Sequence, residues 1–144
     1  LSYDLLIYPR QFPATLEIVE KFPSQTFVLD HIAKPNVSEK LDAEWLKNIH
    51  LLSKHENVFC KISGMVTETK NFEWMKSDFT PYLESVVSAF GTDRLLYGSD
   101  WPVCLLAADY KEVLGIVADY FQNFSALEKS KIFTLNAIKA YNLD

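Results

Sequence analysis

The sequence predicts an α/β domain built on a parallel sheet, and three observations carry that expectation. Four short apolar runs, at residues 3–8, 26–32, 58–63 and 95–99, alternate with longer segments of helical periodicity. The runs close on residues that break or bend a ladder: Pro9, Lys34-Pro35, Gly64 and Gly98. Apolar side chains fill the amino ends of the runs and polar ones their carboxyl ends, as in a sheet packed below and chemically active above. Strand–helix alternation of this kind predicts right-handed βαβ units.

The elements follow in order. After the first run, residues 13–21 place Leu16, Ile18 and Val19 on an apolar side, and Pro23 ends the segment. After the second, residues 42–55 carry Trp45, Leu46, Ile49 and Leu52 at helical spacing. After the third, Thr80 is the expected cap of a helix with Pro81 at its first position. Tyr82, Leu83, Val86, Val87 and Phe90 form its buried stripe and Gly91 its stop. After the fourth, Asp109 opens a helix bearing Val113, Leu114, Val117 and Phe121. Ser125 and Glu128 spell a capping box for another, and residues 134–141 a closing helix.

Composition narrows the function classes. The 144 residues are 49% hydrophobic, enough for one domain with a proper core. A net charge of −5 without a basic cluster gives no reason to expect nucleic acid as a partner. No apolar run approaches a membrane span, so no membrane partner is expected either. Four glycines leave no dinucleotide fingerprint and no phosphate loop. Two cysteines, Cys60 and Cys104, read as reduced thiols, and with no signal-peptide pattern the expected location is cytoplasmic. On the same ground the sequons Asn36-Val37-Ser38 and Asn123-Phe124-Ser125 read as chance.

The chemistry-bearing residues gather at strand ends. Asp100 follows the fourth run, where α/β proteins collect their ligands. By two-residue alternation it shares a face with Leu96 and Gly98, while His31 shares one with Phe27 and Leu29. His31 alone suits a satisfied core imidazole; beside Asp100 it becomes an electrophile or metal ligand. Lys61, sharing a face of the third run with Ser63, is a candidate to hold a substrate oxygen, and Cys60 points the other way as packing.

At these residues the chain resembles the amidohydrolase-related (amidohydrolase 2) family. The resemblance rests on residues 27–35, Phe-Val-Leu-Asp-His-Ile-Ala-Lys-Pro, on Cys60-Lys61-Ile62-Ser63-Gly64, and on residues 97–104, Tyr-Gly-Ser-Asp-Trp-Pro-Val-Cys. Asn136-Ala137 and Tyr141 fit the family's end. It is most similar to the sugar lactone hydrolase, fuconolactonase-like branch. That resemblance implies a TIM-type (β/α)8 barrel, of which residues 1–144 supply a parallel (β/α) half-barrel, strands five to eight of one domain. The family's amino-terminal His-x-His pair has no counterpart here.

The implied reaction is hydrolysis of a sugar-acid or related lactone. Asp100 is its general base and acid, and His31 polarises the carbonyl. Lys61, Ser63 and Trp101 are the implied substrate contacts. One divalent metal, zinc, on His31 and Asp100 is implied for the full-length protein. This chain alone is expected to bind none tightly and to be inactive, because a catalytic zinc takes three protein ligands. The missing amino-terminal half-barrel, or a second copy in a homo-oligomer, is the expected partner beside the small-molecule substrate. The competing readings are a metal-dependent decarboxylase of the same superfamily and a non-catalytic half-barrel interaction module.

Overall fold

The computed structural model describes residues 1–37 and 40–143; Ser38 of the first sequon lies outside the described residues. Strands β1 (Tyr3–Leu5), β2 (Phe27–Leu29), β3 (Val58–Ile62) and β4 (Leu95–Tyr97) form one parallel sheet in the order β1-β2-β3-β4. Leu5 lies beside Leu29, Leu29 beside Cys60, and Cys60 beside Leu95. This register separates two faces. Phe27, Leu29, Cys60, Ile62 and Leu95 belong to the main core. Val28, Phe59 and Leu96 form a smaller cluster on the other face.

Helices α1 (Phe12–Lys21), α2 (Ala43–Ser53), α3 (Lys76–Phe90) and α4 (Tyr110–Tyr120) cover the first face. Phe12, Trp45, Phe79 and Val117 are essentially inaccessible there, and burying each large side chain stabilises by roughly 1.5–3 kcal/mol. The helix starts follow the sequence. The Asp42 carboxylate accepts from the Glu44 N–H at 2.8 Å, and Asp109 and Glu112 cap each other reciprocally.

Helix α3 departs from expectation. It begins at Lys76, not at Pro81, because Asp78 closes a capping arrangement with Met75 one turn earlier. Pro81 is thereby carried inside the helix, and the hydroxyl of Ser85 donates to its carbonyl at 2.7 Å. At the chain's far end α5 (Ala126–Ser130) runs through a wide π-type turn, Lys131–Leu135, into α6 (Asn136–Tyr141).

The two ends of the sheet are built differently. At the amino end Arg94 donates to the carbonyls of Ser53, His55 and Val58, and Asn136 to those of Thr92 and Leu95. These bonds satisfy main-chain groups at the end of α2 and around the starts of β3 and β4. Helix α6 then crosses onto the second face, where Ala140 and Tyr141 pack on Val28, Phe59 and Leu96. Residues far apart in sequence are tied there. The Ser2 hydroxyl donates to the Ala140 carbonyl, and the Tyr141 hydroxyl to the Asp4 carboxylate at 2.9 Å.

Candidate active site at the carboxyl ends of the strands

Strict alternation would separate the two main candidates. Leu29 and Leu95 face the helices, so a straight β2 would carry His31 to the helix side, while Asp100 continues the opposite face of β4. The backbone resolves this. His31, Ile32, Ala33 and Lys34 all adopt left-handed dihedrals, with φ of 52°, 47°, 63° and 49°. Such runs are costly for residues with side chains. This one is pinned by the buried Trp45 indole of α2, whose N–H donates to the Ile32 carbonyl at 2.9 Å. Asp100 also sits at a left-handed φ of 57°, and its carbonyl accepts from the Cys104 N–H at 2.8 Å.

The turn brings His31 Nε2 to 3.7 Å from Asp100 Oδ1. That gap is longer than a hydrogen bond, so the carboxylate does not consume the imidazole. The other ring nitrogen, Nδ1, lies 2.8 Å from the Ser63 hydroxyl. A hydroxyl can either donate or accept, so Ser63 is compatible with a proton on Nε2 or with a lone pair there. Gly64 closes the floor: at its φ of +62°, a methyl group would come within 2.6 Å of His31 Nδ1. Burial holds the imidazole below the ordinary histidine value, against the opposing pull of Asp100 and then Asp30. His31 is therefore neutral at pH 7.

Lys61 is engaged close by. Its ammonium lies 2.5 Å from Asp30 Oδ1 and 3.6 Å from Asp4 Oδ2, with the Tyr141 ring centroid at 5.4 Å. Burial works against its charge, but the bonds to Asp30 and Tyr141 outweigh it and leave the ammonium firmly protonated. Ser63, expected to contact substrate, is 2% exposed, with its hydroxyl beside His31 Nδ1. Trp101 is 64% exposed. Cys60 is buried in the helix-side core, where burial pushes its thiol far up and away from reactivity.

The sequence marked Lys34 and Gly64 as the ends of runs and carried Asp30 within a motif, but assigned none of these, nor Glu68, a place at the site. The usable signal was Gly64 directly after the third run, a position where a neighbouring group approaches the backbone. As for metals, the described residues hold no cluster of three or more potential ligands. The chain supplies two donors that could share one cation, His31 Nε2 and Asp100 Oδ1.

Residues 2–143 match the family model described as Amidohydrolase. The L-fucono-1,5-lactonase of Burkholderia multivorans is 34% identical over 98% of this chain and 51% of its own length. The L-rhamnono-gamma-lactonase of Scheffersomyces stipitis is 26% identical over 92% of this chain and 45% of its own. A crystal structure of an amidohydrolase from Burkholderia multivorans with bound zinc superposes with a TM-score of 0.93 at 36% identity. It matches 99% of this chain and 53% of its own. The chain spans about half the length of the curated relatives it matches, and its sheet is a parallel half-barrel.

Proposed function

This chain belongs to the amidohydrolase family, and from that premise we propose that it is one half of a lactone hydrolase barrel, strands five to eight of a single domain. Asp100 is the general base and His31 the group that polarises the carbonyl. The observation that carries this is the left-handed turn at residues 31–34, which sets His31 Nε2 3.7 Å from Asp100 Oδ1 instead of on the opposite face.

In the proposed reaction the Asp100 carboxylate takes a proton from a water as its oxygen attacks the lactone carbonyl carbon. The neutral imidazole, its Nδ1 accepting from Ser63, donates from Nε2 to the developing oxyanion. The ring C–O bond then breaks, and Asp100 returns the proton to the departing alkoxide oxygen, leaving an open-chain hydroxy acid. Lys61 holds Asp30, the residue before His31, and so fixes the start of the turn. Trp101, beside Asp100, contacts substrate. Where a divalent ion is used, His31 and Asp100 are the residues of this chain that would hold it, and the chemistry it supplies is Lewis-acid polarisation of the carbonyl.

The test is Asp100→Asn in the full-length protein. Its rate on an aldonolactone is expected to fall by roughly 10²–10⁴-fold with an unchanged melting temperature. Turnover within a few-fold of the parent would remove Asp100 from the mechanism.

A further inference from the structure

We infer that the Lys34–Glu68 ion pair reads ring hydroxyls of an uncharged polyol lactone and turns away lactones bearing a free carboxylate, an inference that rests on the lactone reading above. Three consecutive loops build the place. Tyr8 follows β1, Lys34 follows β2 and Glu68 follows β3, and with Asn36, Thr69 and Lys70 they line a groove of about 690 Å³. Lys34 ends the same left-handed turn that presents His31. It stands three residues after His31, so the groove, which neither His31 nor Asp100 lines, adjoins the reacting pair without including it.

Within the groove Lys34 Nζ lies 2.7 Å from Glu68 Oε1 and 5.5 Å from the Tyr8 ring centroid. Both charged side chains are under one-fifth exposed. Burial disfavours the Lys34 ammonium, but the bond to Glu68 and its charge outweigh that and keep it protonated. An ammonium has three donors and a carboxylate about four acceptor positions, so each retains capacity after pairing. A donor beside an acceptor is what neighbouring hydroxyls of a sugar ring require, since each hydroxyl gives and takes one bond.

An anionic substituent meets the opposite situation. The Lys34 charge is already neutralised, and Glu68 repels. Counting the groove together with the adjoining strand ends, the carboxylates of Asp4, Asp30, Glu68 and Asp100 outnumber the ammoniums of Lys34, Lys61 and Lys70. Neither of the chain's two arginines, whose planar forks suit carboxylates, lines the groove. Arg94 is tied down at the amino end of the sheet, and Arg10 lines an adjoining recess with Tyr8 and Pro9.

The experiment compares a neutral aldonolactone with an aldaric-acid monolactone, using the full-length protein. The parent is expected to prefer the neutral lactone. Glu68→Gln, close to isosteric, is expected to raise KM for it about tenfold or more and to shift the kcat/KM ratio toward the carboxylated lactone by at least as much. Lys34→Met is expected to weaken the neutral lactone without that shift. Calorimetric binding of the neutral lactone to Asp100→Asn and to the Asp100→Asn, Glu68→Gln double variant reads the same effect without turnover. If both Glu68→Gln and Lys34→Met leave the neutral lactone within twofold, or if the parent prefers the carboxylated one, the inference is overturned and lactone hydrolysis stands. A parent that opens neither lactone overturns both.

Discussion

At the scale of single residues the site depends on one imidazole held from three sides. Ser63 takes its Nδ1, Gly64 gives it room, and Asp30, tied to Lys61, anchors the chain just before it. Gly64→Ala is therefore expected to be damaging twice over. The left-handed φ of +62° costs an alanine about 1–2 kcal/mol, and the added methyl at 2.6 Å from Nδ1 must displace the ring. A fall in the urea midpoint together with loss of turnover would show both effects; a silent alanine would mean that the ring moves freely. Asp100, His31 and Lys61 were legible in the sequence because polar groups stand out at the ends of apolar runs. The nearness of Asp100 and His31 was expected from the neighbouring strand ends, but the means was not readable: alternation puts them on opposite faces, and the dihedrals of residues 31–34 bring His31 Nε2 to 3.7 Å from Asp100 Oδ1. Lys34 and Glu68 were hidden for a different reason: solvated loop charges look alike until a partner loop folds beside them.

At the scale of elements, α2 helps to shape the candidate site from behind. Trp45 contributes its ring to the core and its N–H to the carbonyl of Ile32, so one side chain links helix packing to a turn that would otherwise be strained. Trp45→Phe keeps most of the apolar volume and leaves that buried carbonyl unpaired. The expected cost is about 1–3 kcal/mol, and kcat of the full-length protein should fall more than KM changes. Equal melting temperatures and equal kcat would show that the turn holds itself. Order and type of the strands and main helices were readable from periodicity. Their bounds were less so, because a strand ends where pairing ends, not where apolar residues do: the run at 26–32 yields only Phe27–Leu29. Helix α3 began earlier than Pro81 implied because Asp78 caps the preceding turn.

At the scale of the whole molecule the sheet is open. Among the described residues neither the outer edge of β1 nor that of β4 has a strand partner, and Leu1, Tyr3, Leu6 and Leu143 are exposed near these ends. Unpaired edges with exposed apolar groups recruit other chains. The polypeptide 1–144 expressed alone is accordingly expected to self-associate, seen as concentration-dependent sedimentation, and to become monodisperse when joined to a complementary half-barrel. A concentration-independent monomer would mean that the edges are guarded already. The ties from Ser2 to Ala140 and from Tyr141 to Asp4 have a bearing on how the chain is born. Synthesis delivers β1 long before the helix that clasps it. During that interval β1 must wait with its side-chain partners unmade, so a stalled or prematurely stopped translation product is the species most exposed to proteases and chaperones.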